Sequence, residues 1–347
     1  MFSCIVIINN CGAYGDLIME TTSINRLKLS YGPMTVYEFE EAKKDEAIRK
    51  ELDSTTVYIV AKRHLPFFRI IHDKTQRSDD SGLESLCLKV DYPGSDDIEI
   101  IINKNENNRL FSSGIDSIEV YSNQDVQELT PQDPFHAFSL FDTSGEFVIH
   151  TNFDRLIQLN QNNIINVQIK GDITPLITYE VLYVGQCVKE HIFDRYKSHH
   201  ALQKILIDER IIPKDYDKVN ELLILPFSIQ NSTLASIDDK ASDSDIDSFV
   251  RFMLGEPAVP RNAISRDCEK ALIHAMSPQY NRVYKSYPKS KDGLYQYDLD
   301  TFSYIIDENL ILAYGDNEYI YGNTFEYSSV IRVHNNNEFE IRTFKND

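Results

Sequence analysis

Short apolar runs cut by polar turns dominate the first half of the chain. "SCIVIIN", "TVYIVAK", "SLCLKVDY", "DIEIIINK", "DSIEVYS" and "EFVIHTN" are rich in Val, Ile and Tyr and are bounded by Asp, Asn, Ser or Gly. Such side chains fit a pleated surface, so each run predicts a strand. One stretch breaks the pattern. "MTVYEFEEAKKDEAIRKEL" (34–52) has no internal Gly or Pro, and Thr35 is followed three residues on by Glu38. That spacing predicts a capping box and a helix.

The middle of the chain alternates differently. "NIINVQI" and "TYEVLYVG" predict two strands with Pro175 between them, and the helix of "HIFDRYKSHHALQKIL" follows. "NELLILPFSI" is apolar on both faces, which predicts a central strand. "SIDDKASDSDIDS" (236–248) predicts a polar surface loop. A last helix is expected from about Arg261 to Met276, stopped by Pro278. Beyond it, "GLYQYDL", "FSYIID", "LILAYG", "EYIYG", "SVIRVHN" and "FEIRTF" predict short strands of a small antiparallel sheet. Three domains are therefore expected: a β-rich α+β domain over 1–157, a β-β-α-β-α domain over 158–290 and a small antiparallel β extension over 291–347.

Composition narrows the class. At 347 residues the chain is long enough for a substantial core. It has no apolar run of about 18 residues, so no membrane span is expected. The start, "MFSCIVIINNCGAYG", lacks a basic region and reads as a first strand. Five cysteines (Cys4, Cys11, Cys87, Cys187, Cys268) never fall in C-x-x-C spacing, which fits free thiols in a reducing cytoplasm. The net charge of −19 argues against a protein that coats itself in nucleic acid. The acidity is uneven, however. Residues 160–290 hold 16 basic against 17 acidic side chains, and five of those acids lie in the 236–248 loop.

Candidate chemistry clusters in this near-neutral segment. Arg195 and His199 are four apart, so one helix face carries both. Ile192, Phe193, Tyr196, Leu202, Ile205 and Leu206 form a separate apolar stripe. Gly185 follows Tyr183 at a strand end, where a missing side chain permits close approach. Glu269 lies beside the apolar stripe of the last helix, formed by Cys268, Ala271, Leu272, Ala275 and Met276. Phosphodiester hydrolysis needs a cation to polarise a phosphate oxygen, a positive side chain to hold the phosphate and a group to take a proton from water. One carboxylate with several waters suffices for Mg²⁺. Arginine's planar fork matches phosphate, and tyrosine or histidine can serve as base. Lys197 and Lys204 are candidates for steering phosphate toward such a site.

The ordered set "YVG" (183–185), Arg195, His199 one turn later, a further strand, then "EKALIHAMSPQYN" resembles the GIY-YIG nuclease superfamily. The likeness covers about a third of the chain. It implies an α+β fold with a GIY-YIG-like three-stranded sheet and flanking helices, preceded by the β-rich N-terminal domain and followed by the small C-terminal sheet. It also implies that Arg195 clamps the scissile phosphate, that Glu269 binds Mg²⁺ or Mn²⁺, and that "PQYN", ending at Asn281, closes the site. Arg-x-x-x-His spacing matches the family's restriction-enzyme branch and points to His199. The family's first motif, Gly-Ile-Tyr, is missing from the strand "NIINVQIKGD". Its role falls to Tyr179, or to Tyr183 together with His199. The expected function is a metal-dependent endonuclease acting on nucleic acid, with DNA the expected substrate. The N-terminal domain is expected to meet a regulatory protein or a second copy of the chain. The alternative is a nuclease-like module without catalysis that binds nucleic acid or a protein.

Overall fold

A computed structural model describes residues 3–8, 19–78, 82–111, 115–122, 133–188, 191–198, 200–209, 220–237, 247, 250–251, 259–282, 287, 294–297, 299–334 and 338–346. These residues fall into two compact units, neither of them a continuous stretch. One comprises Met1–Ala61, Tyr179–Glu209 and Leu223–Asp347, and the other Lys62–Thr178 and Arg210–Leu222.

The first unit is built on one large sheet. Its strands are β1 (Ser3–Ile8), β2 (Met19–Leu29), β3 (Met34–Thr35), β4 (Val57–His64), β13 (Thr178–Gln186), β14 (Asn220–Ile237), β15 (Thr301–Ile306), β16 (Ile311–Tyr314), β17 (Glu318–Tyr321), β18 (Tyr327–His334) and β19 (Phe339–Lys345). They run in the order β17-β16-β13-β4-β14-β2-β15-β18-β19, with β1 and β3 also paired to β14. The expected central strand is the organiser. Leu222 to Phe227 are all buried. Pro226 sits where β14 changes partner: Leu223 and Ile224 pair with β3, and pairing with β2 begins at Ser228. The proline has no N–H to offer a ladder there, and its carbonyl accepts from Ser30 N–H.

The second unit holds β5 (Phe67–Ile70), β6 (Gln76–Ser78), β7 (Gly82–Tyr92), β8 (Ser95–Asn103), β9 (Ile115–Tyr121), β10 (Ala137–Asp142), β11 (Phe147–Asn152) and β12 (Val167–Lys170). Their order is β11-β10-β9-β7-β8-β12, with β5 and β6 on β7. Helix α3 (Phe153–Gln161) follows β11. A buried ion triad ties this unit together: Arg63 bonds both oxygens of Asp154, the Glu221 carboxylate and the Leu176 carbonyl.

The architecture corrects the expected one. The chain is mostly β, and no free-standing three-stranded α+β sheet forms. The strand of "NIINVQI" pairs with β8 in the second unit's sheet, Val167 opposite Ile102, so it never joins β13. The place beside β13 belongs to β4, which came far earlier in the sequence. The C-terminal strands do not form a separate small sheet either. β15 runs parallel to β2, Phe302 opposite Ser23. Both faces of β15 are buried, which demands neighbours on both sides. "GLYQYDL" is not a strand; Leu294–Tyr297 form a single 3-10 turn.

Helix starts were read more reliably. Thr35 and Glu38 make the reciprocal capping box of α1 (Val36–Ala42). The expected single helix nevertheless splits, because Asp45 accepts from Ala47 and Ile48 N–H and opens a new helix, α2 (Glu46–Leu52). Helices α4 (Ile192–Ser198) and α5 (His200–Asp208) flank His199, which lies outside the described residues. Their apolar stripe buries Ile192, Phe193, Leu202 and Ile205, whereas Leu206 is exposed. Helix α6 (Arg261–Met276) has the expected bounds, and Ser277 ends it in the left-handed region at φ 45°. Its apolar side packs into the core formed by Val57, Ile59, Val181, Leu225, Leu272 and Tyr304 among others. Cys87, Cys187 and Cys268 are buried free thiols. Among the described residues no helix is long and apolar enough to cross a membrane.

Candidate active site

Strand β4 and strand β13 bring two tyrosines side by side. The rings of Tyr58 and Tyr183 are 6.0 Å apart between centroids and tilted by 40°. Gly185 makes this possible. A Cβ there would lie 2.5 Å from Tyr58 Cζ, 2.6 Å from its hydroxyl and 2.8 Å from Tyr183 Cε1. The glycine of "YVG" therefore admits the neighbouring phenol ring, where close approach by a ligand was also open from sequence. Both tyrosines are buried.

The turn after α6 fastens the same strand. Tyr280 N–H donates to the Leu182 carbonyl, and Asn281 N–H closes the turn on Pro278. The Asn281 side chain accepts from Val184 N–H at 2.9 Å and donates to Val184 carbonyl at 2.8 Å. Asn281 thus acts on the backbone of the "YVG" strand as a clamp. Cys187 N–H donates to Thr56 carbonyl at 2.8 Å, which closes the end of β13 onto the residue preceding β4.

Two carboxylates two residues apart on α6 have opposite fates. Asp267 is fully buried and accepts from Tyr287 hydroxyl at 2.8 Å, Tyr304 hydroxyl at 2.5 Å and Leu294 N–H at 2.8 Å. Burial pushes its carboxyl up, although these three donors oppose the rise. It fastens the chain beyond α6 to the helix. Glu269 is 5% exposed, and burial pushes its carboxyl up to about 7 against the pull of Arg195, Lys270 and a hydrogen bond with the Gln186 side chain. Its Oε2 has no hydrogen-bond partner among the described residues. A buried acceptor left unsatisfied costs about 1–3 kcal/mol, so such groups cluster where function demands them.

Glu269 is not alone in this. Gln186 Oε1 and the Tyr58 hydroxyl are also buried without a partner among the described residues. Burial pushes the Tyr58 phenol far above its ordinary range; Tyr183, Cys187 and Glu269 push it the same way, and Arg195 opposes. Arg195 on α4 therefore acts electrostatically on both Tyr58 and Glu269. Tyr58, Tyr183, Arg195 and Glu269 are linked by a ring contact and by the charge of Arg195, from two strands and two helices.

The remaining expected residues lie elsewhere. Tyr179 is packed in the apolar core with Val57, Val181 and Leu225. Lys204 pairs with Asp208 at 2.5 Å and lies over the Tyr280 ring. The Lys197 side chain and His199 lie outside the described residues. Tyr58 is the member that sequence reading missed. Its strand "TVYIVAK" was recognised, but nothing local in it signals that it pairs with "TYEVLYVG" across the intervening second unit.

Oxygen donors of this kind suit a hard divalent cation. Glu269 Oε2 and Gln186 Oε1 are two buried oxygens without a partner among the described residues. Among the described residues no three His, Cys, Asp or Glu side chains gather to hold a metal. No family model, curated protein or solved structure matches the chain.

Proposed function

We propose that the chain is a metal-dependent endonuclease that hydrolyses phosphodiester bonds of nucleic acid, with DNA as the expected substrate. What supports this reading is that the charge of Arg195 acts on both the Glu269 carboxyl and the Tyr58 phenol, from stretches far apart in sequence. The likeness to the GIY-YIG superfamily rests on this constellation, not on the architecture around it. Tyr58 takes the place of the tyrosine that the family's first motif supplies.

Each residue has a role that its surroundings support. The Arg195 guanidinium holds the scissile phosphate and offsets its developing charge. The Tyr58 phenol stays protonated at neutral pH, because burial disfavours the phenolate. Its hydroxyl therefore orients the attacking water and is not itself the base. Tyr183 lies against Tyr58 and fixes its ring. Glu269 holds the cation, which when bound supplies Lewis-acid stabilisation of the phosphate. Proton removal falls to His199 on its sequence position.

Cleavage of plasmid, single-stranded DNA and RNA in Mn²⁺ tests the reading. The parent is expected to cut at least one of them, and Glu269→Ala to lose about a hundredfold or more in rate. Equal rates, or none with either protein on any substrate, would leave the binding module in place of the enzyme.

A further inference from the structure

We propose that the aromatic face formed by β17, the start of β18 and the turn between them is a docking surface for an arginine- and lysine-rich peptide segment of a partner protein. None of its residues takes part in the cleavage proposed above.

Three tyrosine rings form a continuous wall. Tyr319 and Tyr321 are two apart on β17 and so share one face of that strand. Their centroids are 6.0 Å apart and their planes tilted by 43°. Tyr327, the first residue of β18, extends the wall, its centroid 5.1 Å from that of Tyr321. In the turn between the strands Phe325 is 94% exposed, and Tyr319 is 38% exposed. Single exposed rings are ordinary on a protein surface, whereas a run of them marks a place where something binds. The turn that presents Phe325 is also held in place. Thr324 Oγ1 donates to the Tyr327 carbonyl at 2.7 Å and accepts from Tyr327 N–H at 3.1 Å, and the Asn346 side chain donates to the Thr324 carbonyl at 2.7 Å. A Cβ at Gly322 would run into the carbonyl oxygens of Glu308 and Leu310, so the chain is packed closely there as well. Rings held in this way cost a partner little ordering on binding.

Charge selects the partner. The stretch 315–331 holds three acids, Asp316, Glu318 and Glu326, and no Lys or Arg. All three are exposed, and none is ion-paired among the described residues. Lys345, opposite Tyr327 on β19, is a single basic side chain set against them. A phosphate backbone would meet an excess of negative charge here, so the rings do not suit base stacking. Guanidinium and ammonium groups gain twice, from the negative faces of the rings and from the unpaired carboxylates beside them in the chain.

Titration of the full-length chain with a hexa-arginine peptide tests this, read by calorimetry and by NMR of ¹³C-labelled Tyr and Phe rings. A chain of net charge −19 attracts any cationic peptide, so the deciding variant leaves charge alone. Tyr319→Leu combined with Phe325→Leu removes two exposed ring faces and is expected to weaken hexa-arginine about fivefold or more. Glu318→Gln combined with Glu326→Gln is expected to weaken it as well and to flatten its salt dependence. In the parent, the ring signals of Tyr319, Tyr321, Phe325 and Tyr327 are expected to shift with the peptide. Unchanged affinity in the leucine pair, or parent rings that do not shift, would reduce the binding to general attraction and overturn the proposal. Rings that shift with a single-stranded oligonucleotide and not with the peptide would overturn it in favour of base stacking. Rings that shift only with protein concentration would overturn it in favour of a second copy of the chain.

Discussion

Replacing Glu269 with glutamine is predicted to stabilise the metal-free protein at alkaline pH while abolishing cleavage. Burial lifts the carboxyl from 4.5 to about 7. A raised carboxyl favours the folded state while protonated, so its contribution is complete below about pH 4.5. As pH rises, the unfolded chain ionises first, and the contribution is lost by the time pH passes about 7. The full loss is about 3 kcal/mol, most of it falling between about pH 5 and about pH 8. Glutamine has the same shape and no proton to lose. Glu308, also pushed up to about 7 by burial, is present in both proteins and cancels in the comparison. Urea unfolding in EDTA at those two pH values measures the effect. The stability of Glu269→Gln relative to the parent is expected to grow by about 2–3 kcal/mol from the lower to the higher pH. A difference that does not change with pH would show that Glu269 is not held in a costly environment, and the reasoning from burial would fail.

Three further outcomes follow from the same geometry. Gly185→Ala forces a methyl group to 2.5 Å from the Tyr58 ring. Calorimetry should show a loss of about 1–3 kcal/mol, and displacing the phenol by about 1 Å should slow cleavage on the order of a hundredfold. Asp267→Ala strands two buried hydroxyls and one N–H; it should destabilise by about 3 kcal/mol or more in chemical unfolding. Neutralising Asp238, Asp239, Asp243, Asp245 and Asp247 together removes a local negative field from the acidic stretch 236–248, most of which lies outside the described residues. Filter binding should show tighter DNA association at low salt, with the gain fading as salt rises; unchanged affinity would show that this stretch does not restrain binding.

Local signals in the sequence proved dependable, and long-range pairing did not. The capping box at Thr35, the bounds of α6 and the central strand over Leu222 to Phe227 all follow from neighbouring residues. The strand that carries "YVG" was also legible from its own residues. Strand partners carry no such mark. The strand of "NIINVQI" lies near β13 in sequence yet pairs with β8, whereas β4 supplies the neighbour through an intervening unit of over a hundred residues. That single rearrangement hid the contact of Tyr58 with Tyr183. The turn that ends at Asn281 was read from its match to a motif. Its bonds to Val184 could be found only once both segments were placed in space.

The central claim is that Tyr58, Arg195 and Glu269 act as one site, and a double-mutant cycle on Mn²⁺-dependent DNA cleavage tests it most directly. Tyr58→Phe and Arg195→Ala should each reduce the rate strongly, and the double variant should be little worse than the weaker single one, because groups acting as a unit are not additive. Full activity in Tyr58→Phe, or losses that simply multiply in the double variant, would contradict a shared site.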